Sequence, residues 1–347
     1  MSASLIDRLD PGAFAEVAHH VLDRPTYDWI ASGSGDAQSL HDNSAAYSRW
    51  RLRPSVLVDV ATVNTKTSLL GTEVGTPIGV APMGLQKAIH PDGELAMGDG
   101  VARAGGLVIA AVNATVSVAD VAKANPGLPF WLQLYNWDDR AALGGVIELA
   151  EEAGCKAIVP LVNTPIGVSH TPWHVGFRGV PGGTKFAHFQ TSPELTPSNT
   201  WEYLEWLAGR TSLPIVPKGI MTGEDAGRAI DAGAKGILVS NHGGRQLSRS
   251  LATIDALPDV VAGAAGRAEV YVDGGIRTGT DVLIALALGA RAAFVGRQIA
   301  WGLALGGGDG VHRVLENMRQ TLADDAGLCG IADVTAIPAG VVVRGPA

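Results

Sequence analysis

Cysteine is almost missing from this chain of 347 residues: Cys155 and Cys329 are the only two. That is too few for a disulfide framework or a multi-cysteine metal site, so no metal is expected and a reducing, cytoplasmic setting is the simpler reading. Basic residues are also short. With 26 Lys and Arg against 34 Asp and Glu, the formal charge is −8, which disfavours nucleic acid or an anionic membrane as partner, since both are met by basic patches. Long apolar runs are absent too. The most apolar stretch, 282–290, is about half of the roughly 20 residues a membrane span needs, and the first residues, MSASLIDRLDPGAF, lack the basic start and apolar run of a secretory signal.

What is present is apolar residue and glycine. A hydrophobic content of 46% can bury a large core, and the length permits two ordinary domains or one α/β barrel. Glycine, at 45 residues, is about twice its usual share of roughly 7%, which suits many short turns and close backbone approach to a ligand.

An internal repeat organises the chain. Gly219, Ile220, Thr222, Gly223, Asp225, Gly233, Ala234 and Val239 recur, without a gap, as Gly275, Ile276, Thr278, Gly279, Asp281, Gly289, Ala290 and Val295. Each copy reads strand, turn, helix, strand. Thr222 and Thr278 stand three residues before Asp225 and Asp281, a helix-start pattern in which hydroxyl and carboxylate satisfy free backbone N–H groups. Ala226, Ala229, Ile230 and Gly233 follow at helical spacing. The alternation predicts eight strands, at Pro77–Pro82, Leu107–Val112, Phe130–Tyr135, Ala157–Val162, Pro214–Pro217, Gly236–Ser240, Glu269–Val272 and Ala292–Val295. Apolar strands separated by helices argue for a parallel sheet, and eight of them for a closed (β/α)8 TIM barrel, with an open doubly wound sheet as the alternative. Residues 1–75 read as a helical cap and 76–347 as the barrel, together one domain. Residues 164–200 form a long polar loop after strand 4, of the kind that serves as a lid or stays disordered.

Active sites of such barrels lie at the C-terminal ends of the strands. Polar residues that end apolar runs are therefore the candidates: Gln133 and Tyr135 on the third strand, Asn163 on the fourth, Lys218 on the fifth, His242 on the sixth, Asp273 on the seventh and Arg297 after the eighth. Any one alone would equally suit a capped strand end.

The run Ser240-Asn-His-Gly-Gly-Arg-Gln246 resembles the FMN-dependent 2-hydroxy acid oxidase and dehydrogenase family, which includes glycolate oxidase, lactate oxidase and mandelate dehydrogenase. Further motifs extend the resemblance over nearly the whole chain: Tyr27-Asp28 with Ser32-Gly33, Ala81-Pro82, Gln86-Lys87 with His90-Pro91-Asp92-Gly93-Glu94, Gln133-Leu-Tyr135, Lys218-Gly219, Asp273-Gly-Gly275 with Arg277, and Gly296-Arg297. The resemblance implies FMN as cofactor, a small carboxylate as substrate and a homo-oligomer, tetramer or octamer. It also implies that Lys218 stabilises the charge that builds on the flavin on reduction. His242 would take the substrate hydroxyl proton as hydride leaves, and Arg245 would pair at two points with the carboxylate. Pro82, Met83, Gly84, Ala111, Gln133 and Ser240 would line the flavin. Asp273, Gly274, Gly275, Arg277, Gly296 and Arg297 would hold its phosphate, where barrels commonly bind one. Gly84 would also influence oxygen use.

Several substrate-site positions depart from that family. Trp29 stands where the family has a tyrosine that contacts the carboxylate. Asn163 replaces the aspartate that supports the histidine, which would weaken His242 as a base. His170 falls where a second carboxylate-binding arginine is expected. Ala111 and Leu161 replace hydroxyl residues, and Asn113 replaces a bulky group. These changes favour oxidation of a 2-hydroxy acid larger than glycolate or lactate. Oxidation of an amine or a specialised biosynthetic intermediate, and a weakly active flavin-binding homologue, stay open as alternatives.

Overall fold

The computed structural model describes residues 10–165, 185–189 and 199–345. Eight parallel strands form one sheet: β1 (Ile78–Val80), β2 (Val108–Ala111), β3 (Phe130–Leu134), β4 (Ile158–Pro160), β5 (Lys218–Ile220), β6 (Gly236–Val239), β7 (Glu269–Asp273) and β8 (Ala292–Val295). Their order is 4-3-2-1-8-7-6-5, and the parallel bridges Ile158↔Ile215 and Leu161↔Lys218 join the two ends into a barrel. Each strand is followed by a helix: α1 (Gly93–Arg103), α2 (Val118–Ala124), α3 (Arg140–Glu152), α4 (Trp201–Arg210), α5 (Gly223–Asp231), α6 (Thr253–Ala264), α7 (Gly279–Ala287) and α8 (Arg297–Leu328), the last broken at Gly306 and Gly307.

The two-residue period of the strands sorts their side chains into two cores. Ile109, Trp131, Leu238, Tyr271 and Phe294 point inward and fill the barrel, while their neighbours Val108, Ile237, Val239, Val270, Val272 and Val295 pack under the helices. Trp131, Tyr271 and Phe294 form an aromatic plug, with Trp131 at 5.2 Å from Tyr271 and 5.5 Å from Phe294 between ring centroids. Gly79 faces this plug because a Cβ there would lie 2.4 Å from the Phe294 ring.

The repeated helix starts form as the spacing predicts. Thr222 accepts from the Asp225 N–H, and Thr278 with Asp281 closes a full capping box at α7.

Two expectations need correction. The regular part of the fifth strand is not Pro214–Pro217 but Lys218–Ile220; Pro214 and Pro217 carry no N–H for the ladder, so only Ile215 forms a bridge upstream. Lys218 therefore opens this strand instead of ending it. The cap is helical at Phe14–Val21, Arg24–Ala31 and Gln38–Tyr47, but between residues 50 and 75 its regular structure is three short strands and no helix. Trp50–Leu52 pairs with Val342–Arg344, and the hairpin Thr67–Leu69/Thr72–Val74 turns through Leu70 (φ +48°) and Gly71 (φ +78°). Its Leu69 and Val74 join the inward core and stopper the barrel opposite the C-terminal mouth. Among the described residues, no helix is long and apolar enough to cross a membrane. Cys155 and Cys329 are buried and unpaired.

Candidate active site

The chain leaves β6 through Ser240 and Asn241 and turns sharply at His242–Gly244. His242 (φ +59°), Gly243 (φ +62°) and Gly244 (φ +74°) all adopt the left-handed conformation, uncommon for a residue with a Cβ and maintained only where the surroundings over-determine it. They do so here. The His242 N–H donates to Ser240 Oγ at 3.1 Å, and the Gly244 N–H donates to Asn241 Oδ1 at 3.1 Å. Asn241 and Asn43 exchange two amide hydrogen bonds, each of 2.8 Å, and Asn43 Oδ1 also accepts from the Thr253 N–H. A helix of the cap is thus tied to the turn that presents His242. Gly244 and Gly275 are glycine because a Cβ would lie 2.5 Å from Leu40 N and 2.0 Å from Asn43 O, respectively. Asn43 was not among the expected site residues; its partner is 198 residues away, and no local pattern announces it.

Positive charge concentrates at the mouth. Lys218 and Asp273, 4% and 5% exposed, form an ion pair of 3.0 Å, and Lys218 Nζ donates to Ser240 Oγ at 2.7 Å. Arg297 donates to the carbonyls of Ile30, Gly243 and Ser32. Arg245 donates to the carbonyl of Trp29 at 2.5 Å and to that of Ser32. Arg277 donates to its neighbour's carbonyl, Ile276. Among the described residues, Lys218–Asp273 is the one ion pair made by these four cations. Burial, followed by repulsion from Arg245 and Arg277 and offset by Asp273, pulls the Arg297 guanidinium down to about 9. Burial lowers Arg245 to about 10. Cations drawn down this far call for an anion, since buried charge is stable only when paired.

The same field acts on His242. Burial, then Lys218, Arg245 and Arg297, hold its imidazole well below its ordinary value, so it is neutral near pH 7. The Tyr135 phenol is raised by burial, with Arg245 acting in the opposite sense.

Asn163 does not hydrogen-bond the imidazole, although it stands at the position expected to support it. Its Nδ2 donates to the Ser240 carbonyl at 3.0 Å, and its side chain lies against Gly219 (φ +120°), where a Cβ would come within 2.6 Å of Asn163 Cγ. Thr164 Oγ1 is the atom next to His242 Nδ1, at 3.4 Å. Among the described residues, Asn163 Oδ1, Gln133 Nε2 and Asp273 Oδ1 are buried without a hydrogen-bond partner, three polar atoms available to a ligand. Asn113 and Gly84 touch: a Cβ at Gly84 would lie 2.8 Å from the Asn113 carbonyl oxygen. Gly296, at the start of α8, has open space where a Cβ would be. Pro82 and Met83 follow β1, and Ala111 ends β2. Trp29, beside Arg245 through its carbonyl, is part of the cap. His170 lies outside the described residues.

Comparison with known proteins agrees with this architecture. The family profile described as FMN-dependent dehydrogenase matches residues 18–344. The human protein 2-hydroxyacid oxidase 1 is 41% identical over 355 residues, covering 96% of each chain. L-lactate oxidase of Nostoc sp. is 38% identical over 92% of this chain and 94% of its own. The crystal structure of mandelate oxidase with (S)-4-hydroxymandelic acid matches with a TM-score of 0.90 and 36% identity, covering 96% of this chain and 99% of that one.

Proposed function

The chain belongs to the FMN-dependent dehydrogenase family, and from that premise we propose that it oxidises a 2-hydroxy acid larger than glycolate or lactate to the 2-oxo acid. The observation that carries the reading is the cluster of Arg245, Arg277 and Arg297 at the mouth, Arg245 and Arg297 acting on His242 and Arg277 on Arg297, with no carboxylate bonded to any of the three side chains among the described residues. Two anions match it, a phosphate and a substrate carboxylate.

The residues present fit FMN. Gln133 Nε2 is a buried donor lacking a partner, suited to a ring carbonyl. Lys218, held by Asp273 and Ser240, supplies fixed positive charge where charge accumulates on reduction. Pro82, Met83, Gly84 and Ala111 would line the ring. Gly274, Gly275, Gly296, Arg277 and Arg297 would hold the phosphate, with Asp273 acting through its ion pair with Lys218 and its field on Arg297. FMN, when bound, accepts the hydride from C2 of the substrate. His242 is the base: as the C2–H pair departs, the hydroxyl proton passes to the imidazole and the C2=O bond forms. Its neutral state leaves it ready to accept that proton, and the adjacent cations favour the alkoxide. Arg245 and Tyr135 orient the carboxylate end, and Trp29 and Asn113 shape the pocket around the larger substituent.

Anaerobic mixing of the flavin-loaded protein with glycolate, lactate, mandelate-like 2-hydroxy acids and 2-amino acids tests this. Bleaching of the flavin absorbance fastest with the bulky 2-hydroxy acids is the expected result. Bleaching by amines alone would move the assignment to amine oxidation, and no bleaching by any of them would point to a flavin-binding protein of little activity.

A further inference from the structure

We propose that Thr164 is the positioning residue for His242, its hydroxyl accepting from Nδ1–H so that Nε2 is left unprotonated to receive the substrate proton. The inference rests on the reading of His242 as the base.

Three observations lead to it. Thr164 Oγ1 is 3.4 Å from Nδ1 and is the one side chain hydrogen-bonded to the imidazole among the described residues. Asn163, the adjacent candidate, is committed elsewhere: its amide nitrogen donates to the Ser240 carbonyl, and its Cγ is wedged over Gly219, whose missing Cβ makes the room. The charged groups that face His242 are Lys218, Arg245 and Arg297, all cationic. Every charge around the ring therefore opposes an imidazolium, and the acceptor at Nδ1 is the contact that favours it.

The tautomer follows from donor and acceptor chemistry. A neutral imidazole has one N–H and one lone pair. A base acting through Nε2 needs its proton on Nδ1, and that N–H needs an acceptor, which a hydroxyl supplies. When Nε2 takes the substrate proton, the Nδ1–H···O contact becomes a charge-assisted bond and strengthens, so Thr164 contributes more to the product side of the proton transfer than to the resting state. A hydroxyl is a weaker partner than a carboxylate. It suits a site whose cations are offset on arrival of phosphate and carboxylate, because no fixed negative charge then competes with the substrate for Arg245.

The test uses the flavin-loaded protein with 15N-labelled histidine. The expected spectrum has His242 protonated at Nδ1 and bare at Nε2. In Thr164→Val that preference is lost, the limiting rate of flavin reduction falls about ten- to a hundredfold, as expected for loss of a hydrogen bond to a charged group, and Thr164→Ser restores most of it. Substrate affinity and FMN content should change little, whereas a purely structural role would alter those and leave the tautomer intact. An Nε2–H tautomer in the unaltered protein, or a Thr164→Val protein with unchanged rate and pH profile, would overturn the proposal. If Thr164→Val does not fold, the tautomer of the unaltered protein decides. Unchanged reduction in His242→Ala would instead remove the base assignment itself, which keeps the two failures apart.

Discussion

The two ends of the barrel are made from the same strands and solve opposite problems. At the closed end, Glu269 accepts from the Leu70 N–H and from the Tyr271 hydroxyl, and Arg291 donates to the Ser68 carbonyl, so the hairpin that stoppers the barrel satisfies the charges it covers. At the mouth, among the described residues, the side chains of Arg245, Arg277 and Arg297 bond to the protein's own carbonyls and a serine hydroxyl and to no carboxylate. Charge at one end is satisfied within the fold, while on the reading proposed above the arginines at the other meet bound anions. Stability and function are therefore read at different ends of the strands.

The largest effect that would sharpen this contrast is at the mouth. His242→Ala should leave FMN bound while flavin reduction slows by about 10² to 10⁴, the range for loss of a general base, in anaerobic stopped-flow measurements. At the plug, Trp131→Ala should leave the pH profile of reduction alone and destabilise the fold by about 3–5 kcal/mol, the usual cost of deleting a buried aromatic, measured by denaturant unfolding. If it changed the pH profile instead, the two ends would not be independent.

Between the extremes is the joint of cap and barrel. Asn43→Ala leaves one amide N–H of Asn241 and the Thr253 N–H without their acceptor and should cost about 1–3 kcal/mol. Because the same contact fixes the left-handed His242 turn, it should also slow flavin reduction, a combination not expected of Trp131→Ala.

Acid should act through the mouth. His242 is held below its ordinary 6.5 by burial and by Lys218, Arg245 and Arg297, so between that depressed value and 6.5 the unfolded chain binds a proton that the folded chain does not. Stability of the flavin-free protein should therefore fall as pH drops through 6.5, by up to about 1.4 kcal/mol per pH unit for this group. His188, lowered mainly by burial, adds in the same direction. His242→Ala should reduce the slope measured by thermal melting. The smallest effect is expected at the exposed Arg267–Asp231 pair of 2.7 Å, whose side chains are 47% and 70% accessible. Asp231→Ala should shift stability by no more than about 0.5 kcal/mol and leave flavin reduction untouched.

Local chemistry made much of the mouth legible in the sequence. The repeated Thr-x-x-Asp starts form the caps they spell, because a cap is a contact between residues three apart. The apolar runs became strands, and placing polar residues at strand ends brought Gln133, His242 and Asp273 to one face, since parallel strands of a barrel all end there; Lys218 reaches Asp273 from the start of its strand. Illegible were the contacts between distant segments. Asn43 and Asn241 meet only when the cap folds over the sixth strand. The hairpin at 67–74 is too short to carry a periodic signal of its own. Proline displaced the regular part of the fifth strand because the ladder requires N–H groups that Pro214 and Pro217 lack.

By itself, then, the amino-acid order determined the alternation of strands and helices, the helix caps, and a set of cations and a histidine that must share one end of a barrel. Tertiary structure decided which atoms they face. Arg245 and Arg297 turn to the carbonyls of the cap, Lys218 to Asp273, Asn163 to the Ser240 carbonyl, and Thr164 to the imidazole. Residue type fixes whether a group can donate, accept or carry charge, but the direction in which it does so depends on backbone brought together from segments far apart in the chain: Asn163 meets the Ser240 carbonyl in the space that Gly219 leaves for it.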